Sequence, residues 1–326
     1  MKSNNTKINS NSVGIGLTAY NRPYHLLKTL EGLKSNKVKK IYIFCDGPKS
    51  NLDDSNNKKI LEVRNIAKEI DWCEKEIIYR EKNLGLKQNT FLSMDYMFNN
   101  YEKVIFLDDD CSSNKNFIDF LSFCLEKYKN FDQVKGITGY CPDIEIPKNY
   151  SYDIFFTYRH CPWGFASWRR CWVEYKNTKF DHLEIIHSKK NKKILSRLGS
   201  DILPMVINDY FGLSDSIGIT WAWYVAKHKG ININPKKSLI KNIGHDGSGR
   251  HSTKFKKFDI KFLEDYLPKK FPHDIAINEN LNQSINDFHK VSLITYNVYS
   301  NLPLKILKLV IIFYFYFKNL IKKNVS

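Results

Sequence analysis

The chain has 326 residues, of which 42% are hydrophobic and 26% are charged. This apolar content excludes a disordered or fibrous protein, and the length suits one large domain or two smaller ones. Lysine and arginine outnumber aspartate and glutamate by 51 to 34, which gives a formal net charge of +17. Such a charge is typical of proteins that bind nucleic acid, an anionic membrane or phosphorylated small molecules.

Short apolar runs alternate with amphipathic stretches through the first half of the chain. The predicted strands cover Val13–Ala19, Lys40–Cys45, Ile77–Tyr79 and Val104–Leu107. Apolar residues recur at helical spacing within residues 26–33, 60–70, 87–98 and 117–128. Strands that alternate with helices of this length predict βαβ units, and therefore an α/β fold with a mostly parallel sheet.

The cysteines give an expectation about the cellular compartment. There are seven, an odd number, and no two form a C-x-x-C pair, so neither a zinc site nor a disulfide framework is indicated. Several lie in apolar runs, which is typical of buried, reduced thiols. The N-terminus is polar and shows no apolar leader. Together these features predict a cytoplasmic protein.

Three consecutive carboxylates, Asp108, Asp109 and Asp110, follow the fourth predicted strand. Unpaired burial of these charges would be costly, and the carboxyl edge of a parallel sheet is where open α/β folds bind ligands. A bound Mg²⁺ or Mn²⁺ would relieve their repulsion and in turn bind phosphates. The alternative is a solvated acidic turn before a helix capped by a serine or asparagine at positions 112–114.

Other strand ends carry residues suited to a nucleotide. After the first strand, Thr18 and Tyr20 are candidates to line a base or ribose pocket, and Arg22 is a candidate phosphate ligand. Asp46 ends the second strand and is a candidate partner for base or ribose. The segment Asn83–Lys87, which includes Gly85, places a glycine at a helix start that favours anions. Because these residues follow successive strands of a parallel sheet, they predict a single nucleotide pocket at the edge where those strands end.

The order of TAYNRP, CDGP, NLGLKQN and FLDDDC resembles GT-A-fold glycosyltransferases, in particular family 2 enzymes and bacterial relatives of the N-acetylglucosaminyltransferase I type. The later segments WGFASWRRCW (Trp163–Trp172) and NIGHDGSG (Asn242–Gly249) are similar to two further motifs of that family. The resemblance covers about Val13–His251. It implies a Rossmann-like sheet with a nucleotide-sugar-binding half over residues 1–140, an acceptor-binding half over 141–255 and a basic C-terminal extension over 256–326.

The resemblance also implies roles for single residues. Asp110 would be the metal ligand of a D-x-D-type motif, while Asp108 and Asp109 would face the ribose and the donor sugar. His245 would lie near the diphosphate as a second ligand, with His251 as the rival position; a histidine ligand suits Mn²⁺ slightly better than Mg²⁺. The remaining donor-binding positions are Thr18, Tyr20, Arg22, Asp46, Asn83, Gly85 and Lys87, with uridine as the expected base.

Inverting transfer requires a carboxylate that accepts the proton of the attacking hydroxyl. The family carries an acidic residue before a tryptophan-rich helix, and Asp215 keeps that position, although the residues after it depart from the family pattern. Asp143 and Asp209 are reserves. Trp163, Gly164 and Trp168 are the implied acceptor-binding residues, since tryptophan packs well against sugar rings; an ordinary place in the core is the alternative for the tryptophans.

The last predicted helix covers residues 302–323. Its uninterrupted apolar run, Leu309–Phe317, is shorter than the roughly 20 residues that span a bilayer, and lysines flank it on both sides. This pattern favours a helix that lies on an anionic membrane, so that the protein would be peripheral to the inner face of the cell membrane. A helix packed on the body of the protein is the alternative.

These observations predict a metal-dependent, inverting hexosyl- or N-acetylhexosaminyltransferase. It would move a sugar from a nucleotide-diphosphate donor, most often a UDP-sugar, to a glycan acceptor in polysaccharide biosynthesis, with Mn²⁺ or Mg²⁺ as cofactor. One rival, a sugar-phosphate nucleotidyltransferase, would need a glycine-rich loop that TAYNRP lacks. The other, a nucleic-acid-binding protein, is disfavoured because the basic residues are spread along the chain. We therefore expect no nucleic-acid partner.

Overall fold

A computed structural model describes residues 9–50, 53–248, 256–260 and 262–313. The strands, in chain order, are β1 (Asn9–Ala19), β2 (Lys40–Cys45), β3 (Glu74–Tyr79), β4 (Tyr101–Asp108), β5 (Cys111–Ser113), β6 (Val134–Thr138), β7 (Ile154–Thr157), β8 (Phe165–Trp168), β9 (Ile231–Pro235) and β10 (Ile240–Asn242). The helices are α1 (Pro23–Ser35), α2 (Asp54–Lys68), α3 (Leu86–Asn100), α4 (Phe117–Lys127), α5 (Arg169–Lys176), α6 (His182–His187), α7 (Lys189–Ser196), α8 (Ile202–Tyr210), α9 (Ile217–Lys227), α10 (Glu279–Phe288) and α11 (Leu293–Asn301).

The main sheet has the order β3-β2-β1-β4-β8-β6-β9-β7. Strands β1 to β4 run parallel, β6 and β9 run the same way, and only β8 and β7 pair antiparallel to their neighbours. The α/β fold with a mostly parallel sheet, predicted from the sequence, is therefore confirmed. Residues 1–140 and 141–255 contribute strands to this same sheet.

The chain order of the strands reverses at β1. The chain moves outward from β1 to β2 and β3, and then returns to place β4 on the other side of β1. Ligands of open α/β sheets bind at such a reversal, beyond the carboxyl ends of the strands. Here Thr18 of β1 pairs in register with Asp108 of β4, so that the first motif and the acidic triplet meet at this point.

A second, two-stranded sheet connects the late part of the chain to the triplet. Strand β10 pairs antiparallel with β5, and Asn242 lies opposite Cys111. As a result, residues 242–248 follow a strand that is fixed next to Asp110, although more than 130 positions separate them in the sequence. Position 249, the last of the NIGHDGSG segment, and His251 lie outside the described residues.

The region after residue 256, predicted as a basic C-terminal extension, includes a part that packs on the main sheet. Leu281 and Ile285 of α10 form a small apolar core with Phe155 of β7. The Thr157 hydroxyl donates a hydrogen bond of 3.1 Å to Asn282 Oδ1. Residues 256–313 therefore include a part that belongs to the body of the protein.

The C-terminal helix differs in two ways from the predicted helix over residues 302–323. Leu302 and Pro303 are not helical and separate α11 from a helical segment over residues 304–313, while residues 314–323 lie outside the described part. Leu307 and Ile311 of this segment are buried against α6–α9. In the described part of the chain, no helix is long and apolar enough to cross a membrane.

Packing of the segment 304–313 can be tested by two leucine substitutions. Leu307 is 0% exposed, whereas Leu309 is 58% exposed. We expect Leu307→Ala to lower the free energy of unfolding by about 2–5 kcal/mol, since it leaves a cavity. Leu309→Ala should change it by less than about 0.5 kcal/mol. Urea denaturation followed by tryptophan fluorescence measures both; equal effects would contradict this packing.

Candidate functional site

A cavity of about 670 Å³ lies at the reversal point of the sheet. It is bounded by the carboxyl ends of β1 and β4, the start of α3, the start of α9 and the segment after β10. The residues that the sequence predicted and that line the cavity are Thr18, Tyr20, Arg22, Asp46, Asn83, Gly85, Asp108, Asp109, Asp110, Trp163 and His245. The structure thus brings together most of the predicted donor site, while Lys87, Gly164, Trp168 and Asp215 lie outside this lining.

The acidic triplet is largely enclosed, and its carboxylates are paired. Asp109 and Asp110 are buried, and Asp108 Oδ1 accepts a hydrogen bond of 2.8 Å from the Thr18 hydroxyl. The alternative of a solvated turn that caps the next helix does not hold, because α4 begins later, at Phe117, with Asn116 at its cap.

Arg22 is the counter-ion of the triplet. Its guanidinium forms ion pairs with Asp109 and, at 2.9 Å, with Asp110 Oδ2. Burial alone would lower the pKa of Arg22, but the two carboxylates raise it above its usual value, so the side chain stays charged. The phosphate role predicted for Arg22 would therefore require it to give up or share these ion pairs.

The segment after β10 closes over Asp110. Asn242 donates from Nδ2 to Asp110 Oδ1 at 3.2 Å, and the Ile243 N–H donates to the Asp110 carbonyl at 2.9 Å. A Cβ on Gly244 would overlap Asp110 Oδ2 and would come within 2.9 Å of the Arg22 guanidinium. Only a glycine allows the backbone to approach the carboxylate this closely.

His245 faces the same cavity and lies between two aromatic rings. Its ring stacks on Phe258 at 4.8 Å and meets the edge of Trp163 at 5.3 Å. Burial lowers its pKa, an effect that Asp110 partly opposes. The buried Nε2 atom has no hydrogen-bond partner, so a neutral imidazole here has one ring nitrogen that a ligand would satisfy.

Asp46 organises the loop before α3. Its carboxylate accepts hydrogen bonds from the backbone N–H groups of Gly47, Leu84 and Gly85 and from the Asn83 amide, at 2.8–3.1 Å. Burial raises the pKa of Asp46, while these bonds oppose the rise. Gly85 has a φ of +81°, which the turn into α3 requires. In this structure the Asp46 carboxylate therefore fixes the loop before α3, which forms part of the cavity wall.

Asp215 caps α3 from a distance in sequence. The carboxylate accepts hydrogen bonds from the backbone N–H groups of Leu86 and Lys87, at 3.1 and 3.3 Å, whereas Ser216 caps the helix that follows it. Asp215 lines a second cavity of about 520 Å³, which shares Ile217 with the first. The predicted base therefore lies at the border between the two cavities.

Lys87, predicted to bind the donor, is directed elsewhere. Its ammonium group forms an ion pair of 3.0 Å with the buried Asp209, which also contacts His182 at 2.9 Å. This pairing engages the carboxylate of Asp209, one of the reserve positions for the base. The other reserve, Asp143, is exposed.

Two of the three predicted acceptor residues belong to the core. Trp168 is 4% exposed, and its indole N–H donates to the Leu125 carbonyl at 3.0 Å. Gly164 has a φ of +57° and packs so closely against Ile240 that no side chain fits. The acceptor role predicted for Trp168 and Gly164 is therefore corrected to a structural one, because neither presents a group to the cavity. Trp163 does line it.

Sequence reasoning missed three polar groups in the cavity wall. Burial lowers the pKa of His160 to about 3, so its imidazole is neutral. The buried Trp221 Nε1 and Thr90 Oγ1 atoms have no hydrogen-bond partner, and both residues line the cavity. No sequence motif marks these three positions, and the missing hydrogen-bond partners of Trp221 and Thr90 become visible only in the folded chain.

Burial of Asp108 gives a pH-dependent prediction. Burial, reinforced by repulsion from Asp110, raises the pKa of Asp108 well above its usual range. The folded state therefore holds this proton to a higher pH than the unfolded state, and the associated stability is lost as the pH rises from about 4 towards neutrality. Relative to the wild type, Asp108→Asn should become more stable over this window and then level off.

Thermal unfolding of the wild type and Asp108→Asn between about pH 4 and pH 8 measures this difference. Because both proteins share their buried histidines, the opposite titration of those groups cancels in the comparison. The asparagine keeps an oxygen that accepts from Thr18. A stability difference that does not change with pH would contradict the raised pKa.

Gly244 offers a second test of the site. We expect Gly244→Ala to displace the Asp110 carboxylate and the Arg22 guanidinium, because the added Cβ would overlap or crowd both groups. If these groups hold a metal ion and a phosphate, as the sequence predicts, the affinity for a nucleoside diphosphate with Mn²⁺ should fall by at least about tenfold. Isothermal titration calorimetry with UDP and Mn²⁺ measures the affinity. Gly218→Ala, at a helical glycine where the added Cβ meets Ser216 Oγ at 3.3 Å, is the control; equal losses in both variants would contradict the prediction.

No protein-family model and no curated protein matches this chain. Among solved structures, TarS residues 1–349 from S. aureus match 57% of this chain and 55% of that chain, at 11% identity and a TM-score of 0.35. The mannosyltransferase PcManGT from Pyrobaculum calidifontis, in complex with GDP-Man and Mn²⁺, matches 66% and 68%, at 9% identity and a TM-score of 0.36.

A 4-diphosphocytidyl-2C-methyl-D-erythritol synthase from Anaerococcus prevotii matches 52% of this chain and 79% of that chain, at 11% identity and a TM-score of 0.31. The chain thus spans only about half the length of the TarS fragment described above. Likeness at this level assigns neither a family nor an activity to the chain.

Proposed function

We propose that this chain is a glycosyltransferase that uses a nucleotide-diphosphate sugar, with a UDP-sugar as the favoured donor. The observation that supports this most is the cavity at the sheet reversal. Its wall combines three adjacent carboxylates, an arginine paired with two of them, and the glycine-containing segment after β10. The donor would lie across the ends of β1 and β4, the position at which open α/β sheets bind nucleotides.

The nucleoside end of the donor is assigned to the part of the cavity near Tyr20 and the loop that Asp46 holds. Backbone at Gly85 has no side chain to prevent close approach of the ligand. Asp108, which Thr18 fixes by its hydrogen bond, is proposed to orient the ribose. Asp109 is proposed to face the donor sugar.

The diphosphate end is assigned to Asp110 and His245. Within the described residues no three His, Cys, Asp or Glu side chains form a complete metal site, so a cation here would depend on phosphate oxygens for part of its coordination. The carboxylate of Asp110 and the partnerless Nε2 of His245 fit Mn²⁺, which accepts mixed oxygen and nitrogen ligands. A divalent cation would neutralise charge on the departing diphosphate.

The second cavity is assigned to the acceptor, because Asp215 lines it. A hydroxyl that approaches through this cavity would give its proton to the Asp215 carboxylate as its oxygen bonds to the anomeric carbon. The bond from that carbon to the diphosphate breaks on the opposite side, with inversion, and the nucleoside diphosphate leaves with the electron pair. We propose a growing glycan, carried on a lipid, as the acceptor.

Hydrolysis and transfer assays test the activity. UDP release from a panel of UDP-sugars with Mn²⁺ should be detectable and should fall by at least about a hundredfold in Asp110→Asn, the range expected when a group that stabilises charge at the reacting centre is lost. Asp119→Asn, a carboxylate at the first turn of α4, is the control. Release of pyrophosphate from UTP and a sugar phosphate would instead indicate a nucleotidyltransferase.

The base can be separated from the helix cap that it forms. Asp215→Asn keeps an oxygen for the α3 backbone but loses the proton acceptor, so transfer should fall by about a hundredfold or more while UDP binding stays near the wild-type value. Asp181→Asn is a matched control, since Asp181 caps α6 by accepting from the Glu184 N–H at 3.1 Å. Transfer by Asp215→Asn within about tenfold of the wild type would exclude Asp215 as the base.

A further inference from the structure

The helical segment 304–313 has two apolar faces, and only one of them is covered. Leu307 and Ile311, four residues apart, are buried against the cluster formed by α6–α9. A second stripe lies on the opposite side of the helix, at the i, i+3, i+4, i+7 spacing of one face. Its members are Ile306, Leu309, Val310 and Phe313, which are 41–60% exposed.

The surroundings of this outward stripe are basic. Lys305 and Lys308 are exposed on the same helix, and the sequence has no aspartate or glutamate after Asp287. The neighbouring helix α7 carries four lysines in its first five residues. One of them, Lys192, donates to the Ser300 carbonyl at 3.3 Å, which places α7 next to the end of α11.

The length of the apolar stretch and the charge around it indicate what would bind to this surface. The uninterrupted apolar run here, Leu309–Phe317, has nine residues, fewer than the roughly 20 that cross a bilayer, so the segment would lie along a membrane surface. A soluble monomer rarely leaves four adjacent large apolar side chains uncovered. The lysines of this segment and of α7 complement anionic headgroups, and the exposed apolar stripe would insert between the lipids.

We propose that the outward face of residues 304–313 docks this protein on an anionic lipid bilayer. The inward face, through Leu307 and Ile311, fixes the segment to the body of the protein, so the cavity at the sheet reversal is held in a defined orientation to the membrane. This docking requires no donor and no catalysis. The docking proposal can therefore be tested independently of the proposed transferase activity.

Vesicle co-sedimentation of the full chain tests the proposal. Binding to vesicles of phosphatidylcholine with phosphatidylglycerol should exceed binding to pure phosphatidylcholine by at least about tenfold and should weaken when salt is raised above about 0.15 M. The double variant Leu309→Glu/Phe313→Glu should lose this binding. Leu61→Glu, at an α2 position that is 59% exposed, is the matched control and should bind like the wild type.

A further pair of measurements keeps the result interpretable. Lys305→Glu/Lys308→Glu should reduce binding to the anionic vesicles without a change in the urea midpoint. Equal binding of the wild type and the Leu309/Phe313 variant would overturn the proposal, as would equal binding to neutral and anionic vesicles. A dimer in light scattering that the Leu309/Phe313 variant abolishes, without vesicle binding by the wild type, would overturn it in favour of a second copy on this face.

Discussion

The ion pairs between Arg22 and the buried carboxylates of Asp109 and Asp110 are the constraint on which this site depends. Three adjacent acidic residues at a strand end would repel one another and lose hydration if they were buried alone. Arg22 follows β1 directly, and β1 lies beside β4 in the sheet, so the topology delivers the counter-ion to the triplet. The segment after β10 can then close over Asp110, because its charge is already balanced.

The ion pairs of Arg22 with Asp109 and Asp110 also place charged groups at the cavity wall whose pairing a charged ligand could change. In the function that we propose, a nucleoside diphosphate would bring negative charge towards Arg22, and a divalent cation would bring positive charge towards Asp110. Donor and cation binding would therefore reinforce each other, since each replaces part of the ion pairing that the other weakens. Binding of either one alone would have to compete with the 2.9 Å contact between Arg22 and Asp110.

Local pattern was sufficient to predict the four parallel strands β1 to β4 and the residues at their ends, but not β6 to β9, which complete the sheet. Thr18, Asp46 and Asp108 each end an apolar run, and parallel strands bring such positions together by geometry alone. The failures concern contacts between distant segments. Lys87 pairs with Asp209 and Trp168 bonds to Leu125, and neither partner is visible in local periodicity. Similarly, Leu307 and Leu309 have the same side chain, and only packing decides which one is buried.

The loop from Asn83 to Lys87 shows why the two cavities should act together. Asp46 holds its first part by hydrogen bonds to Asn83, Leu84 and Gly85, and Asp215 holds its last part by hydrogen bonds to Leu86 and Lys87. Asp46 lines the cavity that we propose for the donor, and Asp215 lines the cavity that we propose for the acceptor. A donor that displaced this loop would therefore also disturb the hydrogen bonds between Asp215 and the start of α3. The carboxylate that we propose as the base is thus also the one that caps α3.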